Sequence, residues 1–386
     1  MTVVQAKSSG TTPITGAFRA GTVHLLRDHE NRRPAIEILT AVAEALEADS
    51  RVTELVLPSI NEKFSGGKTI YPTYEGMSTV DLLFRAHAHS VQFSDPLFMR
   101  VSVPRKNQRR IHGEEEAPSE DYIALWDGET LLVAWETDEY ASPLTPGGHI
   151  VAEILETATD SIDLGTYVQA CSPYCDNVFI HNTIRSVASA TNDDYTATMV
   201  SAYTLEIEAP AGESLEDTTY EVWYRFMPAV GDFAPVKGLS RRILDLERAT
   251  RGELDTLTRR LHERSRASLA PFKARVPEMW RHRHWRRDCR ATLATLWVLL
   301  GEIESARRSW IDAHWRFEQS TIEAGTRKYF DRDERDDEVA IKTLDTAPIQ
   351  SAMEHAAARI DTSAIIVATF VGAIAGAIAG ALVAFL

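Results

Sequence analysis

Residues 122–135 read YIALWDGETLLVAW. Two apolar runs, 122–126 and 130–135, flank Asp127-Gly128-Glu129. Asp-Gly between two such runs is a strong hairpin signal, because glycine takes the positive φ that a tight turn between twisted strands needs. A hairpin here makes the sheet at least partly antiparallel and so sets the class of the surrounding fold.

Outward from the hairpin, the same patterning continues. On the N-terminal side, 34–48 (PAIEILTAVAEALEA) places Ile36, Leu39, Val42, Ala43 and Leu46 at helical spacing, with Pro34 at the first turn. A strand is expected at 52–57, ended by Pro58, then a helix at 80–89 capped by Ser78, then a strand at 98–103. On the C-terminal side come a helix at 149–162, a strand at 167–171, an element near 178–187, and strands at 197–208 and 219–228. After a loose arm, 1–20, residues 21–237 therefore read as an α+β (mixed α/β) domain for sensing or binding.

From Leu239 the period changes to that of a helix. Leu239, Ile243, Leu246, Leu254, Leu257 and Leu261 form a stripe, broken by Pro271 and Pro277. A second long helix is expected from about 278 to 327, with Leu296, Ile303, Trp310 and Phe317 seven apart. That spacing suits a helical hairpin or coiled coil over 238–330. Residues 331–362 read as an acidic linker followed by a short amphipathic helix, 349–360.

Residues 363–386 form 24 positions without a charge. At 1.5 Å per residue they reach roughly 36 Å, enough for a hydrocarbon core of about 30 Å. One transmembrane helix is expected here, a single-pass tail anchor with the N-terminal bulk in the cytoplasm. Ala364, Ala368, Gly372, Gly376, Gly380 and Ala384 recur every four residues. Such a stripe lets helix backbones approach closely in lipid, so self-association into a homo-oligomer is expected through it.

Charge divides the chain in the same places. Net charge is −15, made of −18 in 1–237, +8 in 238–330 and −5 in 331–386. Three cysteines, Cys171, Cys175 and Cys289, are too few for a disulfide framework and fit a reducing compartment. The first residues carry no apolar run of the secretory kind.

No motif specifies a reaction. Gly66-Gly67-Lys68-Thr69 resembles the end of a phosphate-binding loop, but Glu62 stands where the first glycine belongs, and Pro72 follows. Cys171-Ser-Pro-Tyr-Cys175 with His181 nearby offers a thiol and a base, which makes Cys171, Cys175 and His181 the catalytic candidates. A second ligand pair for zinc is lacking. His87 and His89, two apart, diverge on a helix. Asp127, Glu136 and Asp138 lack the lysine that a metal-dependent nuclease pattern would add. The densest cationic segment is 281–290, RHRHWRRDCR, where Arg281, Arg283, Trp285, Arg286, Arg287 and Arg290 suit anionic headgroups. They are spread too far round a helix to form one narrow nucleic-acid face.

The expected function follows from architecture. A cytosolic domain senses a ligand or protein partner and acts, through the helical region, on a self-associating span in membrane lipid, with bilayer permeabilisation as one output. The alternatives are a membrane-tethered hydrolase or nuclease, and a passive scaffold. No cofactor and no metal are called for, and nucleic acid is not the expected partner.

Overall fold

The computed structural model describes residues 14–27, 33–58, 69–70, 88–108, 117–137, 147–168, 178–189, 194–269 and 284–360. Mixed α/β character holds: a sheet is combined with helices. Two compact units are present, Met1–Arg241 with Ser309–Val339, and Arg242–Arg308 with Ala340–Leu386.

The first unit is organised by β1 (Ile14–Arg27). Its other strands are β2 (Val52–Val56), β3 (Thr69–Ile70), β4 (Ala88–Ser90), β5 (Leu97–Ser102), β6 (Asp121–Trp126), β7 (Thr130–Trp135), β8 (Thr166–Val168), β9 (Thr183–Ser189), β10 (Thr196–Met199) and β11 (Thr204–Pro210). The sheet runs β10-β11-β9-β1-β7-β6-β5-β2, with β4 and β8 also pairing with β1, and β3 with β4. These pairings are antiparallel except for β9 with β11.

The β6–β7 hairpin forms as expected, with Ile123 opposite Ala134 and Trp126 opposite Leu131. Gly128 has φ +88°, and Asp127 Oδ1 accepts the Glu129 and Thr130 amides at 2.9 and 2.7 Å. Burial pushes the Asp127 carboxyl up, while bonds from Gln92, Thr130 and Glu129 pull it back. Asp127 thus closes the turn, whereas Glu136 is exposed and Asp138 lies outside the described residues.

All of β7 and five of six residues of β6 are buried, so these strands are covered on both faces. On one face, α1 (Ala35–Glu47) and α2 (His149–Asp160) pack over Val23, Leu25, Met99, Trp126, Val133 and Trp135. On the other lie Phe18, Phe98, Leu125 and Leu132, under the first part of α3 (Leu215–Leu269). There Tyr220 stacks on Phe98 with centroids 5.9 Å apart, and Arg100 pairs with Glu216. Each large apolar side chain so buried contributes roughly 1.5–3 kcal/mol.

Five local expectations change. Residues 14–20, read as part of a loose arm, open the central strand β1, where Ala17 and Phe18 are buried and paired on both edges. Residues 219–228 are helix and not strand: they belong to α3, whose first turn is capped by Ser214 Oγ accepting the Asp217 amide at 3.1 Å. Aromatic and β-branched residues there mimic a strand, but the buried Val222, Trp223, Phe226, Met227 and Val230 repeat at helical spacing. Residues 197–208 form the hairpin β10–β11, not one strand. The end of the expected helix 80–89 is strand β4, pairing Arg27 with His89; residues 80–87, with His87, lie outside the described residues.

The expected linker at 331–348 is mostly helix α5 (Arg327–Thr343). It follows α4 (Trp285–Ala324) through a turn at Gly325, φ +66°. Its carboxylates have partners on neighbouring elements, which stabilises a segment whose composition reads as solvated.

The second unit contains the later part of α3, the earlier part of α4, and α6, residues 347–360. Leu246, Leu257, Leu296, Leu299 and Ile303 are buried, as are Ile349, Met353, Ala356 and Ile360 on α6. Arg242 bonds Glu302 at 2.9 Å, and Arg260 bonds Thr292 at 2.8 Å. Among the described residues no helix is long and apolar enough to cross a membrane. The expected span, 363–386, lies outside them.

Candidate functional site

In the first unit, β1, β9, α3 and α5 converge on Asp333, a carboxylate whose side chain is 5% exposed. Its Oδ2 accepts the His181 amide at 3.1 Å, and its Oδ1 lies 2.5 Å from His181 Nδ1. Its main-chain oxygen accepts Lys237 Nζ at 2.6 Å, while a second bond from Nζ, also 2.6 Å, goes to Asp337 Oδ2. Asp333 and Asp337 are one helical turn apart, so both reach the α3 lysine.

The adjoining contacts fix α5 to the sheet. Asn182 Nδ2 donates to the Tyr329 carbonyl at 2.6 Å, and the Tyr329 hydroxyl returns a bond to the Asn182 carbonyl at 2.9 Å. Burial pushes the Tyr329 phenol upward. Arg19, from β1, is 2% exposed, with its guanidinium 5.8 Å from the Phe179 ring centroid. Burial lowers its pKa, and Tyr329 and Asp333 work in the opposite direction.

A cavity of about 30 Å³ adjoins this cluster, lined by Gly21, Thr22, Phe179, Phe233, Lys237 and Asp333. It has room for about one water. His181 with Asp333 supplies a base and its orienting carboxylate, two parts of a nucleophilic constellation. Among the described residues no Ser, Thr or Cys side chain is hydrogen-bonded to the imidazole. Cys171 and Cys175, expected beside it, lie outside the described residues.

A larger cleft of about 510 Å³ opens beside β10 and β11, and Tyr195, Leu205, Glu221, Arg225, Phe226 and Thr326 contribute to its walls. That volume is within the range of small-molecule sites. Arg225 bonds Asp194 at 2.9 Å and Glu221 at 3.0 Å, with its guanidinium 5.4 Å from the Tyr195 centroid. Thr326, with Ser320, brings the α4–α5 turn to the wall.

No family model matches the chain, and no curated protein and no solved structure matches it.

The remaining sequence candidates are dispersed. Trp285, Arg286, Arg287 and Arg290 lie in the first turns of α4, where Arg264 and Arg286 stand 5.7 and 6.0 Å from the Trp285 centroid. Arg281 and Arg283 lie outside the described residues, as do Gly66, Gly67 and Lys68 and the stripe Ala364, Ala368, Gly372, Gly376, Gly380 and Ala384. Arg19, Lys237, Asp333 and Asp337 were not singled out by sequence. The available signal was the four-residue spacing of acids in 331–338, DRDERDDE.

Proposed function

We infer that the chain is a membrane-anchored sensor whose first unit takes a small ligand or protein partner and whose helical unit passes that state to a self-associating span at 363–386. The 24 uncharged residues and their Ala/Gly spacing of four support the span and its association. The cleft beside β10 and β11 is the proposed input, because its wall includes the turn that joins α4 to α5.

One observation carries the coupling. Ile360 is 1% exposed within the helical unit and stands three residues before Ser363. A span joined to a packed helix by so short a connection can receive a rotation or shift of that helix, whereas a long flexible linker would absorb it. The output we assign is a change in association of the spans and, with it, leakage of the bilayer.

The test uses the full chain in dye-loaded liposomes. Wild type is expected to release dye, and Gly372→Leu/Gly376→Leu to release much less while still floating with the vesicles. A Gly/Ser insertion between Ile360 and Ser363 should likewise uncouple leakage without detaching the protein. Equal leakage from all three proteins would refute the reading. Failure of wild type to float with vesicles would refute the anchor itself.

A further inference from the structure

On the face of α5 beside the Asp333 cluster lies a second, separate set of groups. Glu334 and Glu338, one turn apart, meet His314 of α4 across the helical hairpin. His314 Nε2 is 2.8 Å from Glu334 Oε1 and 3.8 Å from Glu338 Oε1, and the three candidate ligand atoms lie within 4.8 Å of one another. All three residues belong to the first unit.

Two of these atoms, on His314 and Glu334, are close without a hydrogen bond between them. Glu334 is 3% exposed and His314 8%, yet Glu334 Oε1 and His314 Nε2 are buried atoms without a hydrogen bond. The ring nitrogen and the carboxylate oxygen stand 2.8 Å apart. Leaving such groups unsatisfied costs about 1–3 kcal/mol each. A cation held between them would satisfy both.

The spacing fits a transition-metal ion. Ligand bonds of about 2.0–2.2 Å in a tetrahedral arrangement place neighbouring ligand atoms roughly 3.4 Å apart. The observed 2.8 and 3.8 Å bracket that value. One imidazole with two carboxylates is a donor set for zinc, manganese or ferrous iron more than for calcium or magnesium, which favour all-oxygen shells.

Neighbouring groups complete the surroundings. Arg327 pairs with the other oxygen of Glu334, Oε2, which leaves Oε1 directed at the imidazole. Ligating carboxylates are usually held by an outer partner of this kind. Glu318 Oε1 stands 3.7 Å from His314 Nδ1 and adds a third carboxylate to the surroundings. Three carboxylates against Arg327 leave the pocket net negative and suited to a divalent charge.

We propose that His314, Glu334 and Glu338 bind one divalent transition-metal ion, with the remaining coordination position open to water, and so pin α4 to α5. The sequence offered no such site, because the ligands are divided between a long helix and an acidic run with no zinc-type spacing.

The test is metal binding by the full detergent-solubilised chain after chelator stripping, with Zn²⁺ and Co²⁺ as probes. Wild type should take up one ion per chain, show a four-coordinate Co²⁺ spectrum without a thiolate charge-transfer band, and melt at higher temperature with Zn²⁺. His314→Ala and Glu338→Gln should each weaken Zn²⁺ binding at least tenfold. Glu338 is partly exposed, so Glu338→Gln retains the fold and serves as the decisive variant if His314→Ala fails to fold. No uptake by wild type, a thiolate band, or unchanged affinity in Glu338→Gln would overturn the proposal. None of these outcomes depends on the membrane, so the site and the leakage reading fail separately.

Discussion

Removing the Asp333 carboxylate by Asp333→Ala deletes two bonds at once. One is from the His181 amide, at 3.1 Å, and the other is with the His181 ring, at 2.5 Å. Hydrogen bonds to a charged group contribute about 1.5–3 kcal/mol each, and the orphaned amide adds a desolvation cost. With the carboxylate 5% exposed, solvent offsets little, so the expected loss is about 3–5 kcal/mol. His181→Ala removes only the ring contact and should cost about 1.5–3 kcal/mol. In the double variant the ring contact is lost once, giving a coupling of about 1.5–3 kcal/mol. Lys237 behaves differently, because it bonds the main-chain oxygen of Asp333, which alanine keeps. Asp333→Ala and Lys237→Met should therefore add to within about 0.5 kcal/mol. Urea titration of the detergent-solubilised chain, followed by intrinsic fluorescence, measures wild type, the three single variants and the two double variants. Coupling near zero between positions 181 and 333, or strong coupling between 237 and 333, would refute this account of the cluster.

Gly128→Ala should destabilise the sheet unit by about 3 kcal/mol or more, read as a lower thermal midpoint. Its φ is +88°, and an added Cβ would stand 2.2 Å from the Val91 carbonyl oxygen. Burial pushes the Tyr122 phenol up to about 12. The folded state therefore favours the neutral phenol. Its contribution is complete below the ordinary value of about 10 and is lost as pH rises from there to about 12. At pH near 11 wild type should have lost about 1.4 kcal/mol more than Tyr122→Phe, relative to neutral pH, in paired urea titrations. Asp127→Ala should cost about 2–4 kcal/mol in the same assay, since it removes the acceptor of two turn amides and of Gln92 Nε2.

The hairpin was legible because Asp-Gly and its flanking runs act locally, and its register follows from the turn. Helices α1 and α2 were legible for the same reason, each carrying a clean apolar stripe. Residues 219–228 were not, since Trp223, Tyr224 and Phe226 favour strands intrinsically, and only packing against the sheet makes them helical. The acidic run at 331–338 misled in the opposite sense. Four of its carboxylates, on Asp333, Glu334, Asp337 and Glu338, meet His181, Lys237 or His314, and those partners come from other elements of the chain. His181 was picked out for its nearness in sequence to Cys175, yet the partner that holds it is Asp333. No local pattern encodes a contact between positions so distant.

The central place of β1 has a consequence for how the protein is made. This strand is synthesised before every strand it pairs with. Ala17 must wait for Trp135, and Phe18 for both Ala134 and Ile184. Until then a long apolar ribbon stands with both hydrogen-bonding edges open, in the company of other nascent chains. Pairing over such separations is slow, and an unpaired edge of this kind is prone to aggregation. Production of the sheet unit should therefore depend on chaperones, or on slowed translation through residue 189, more than its finished stability would imply.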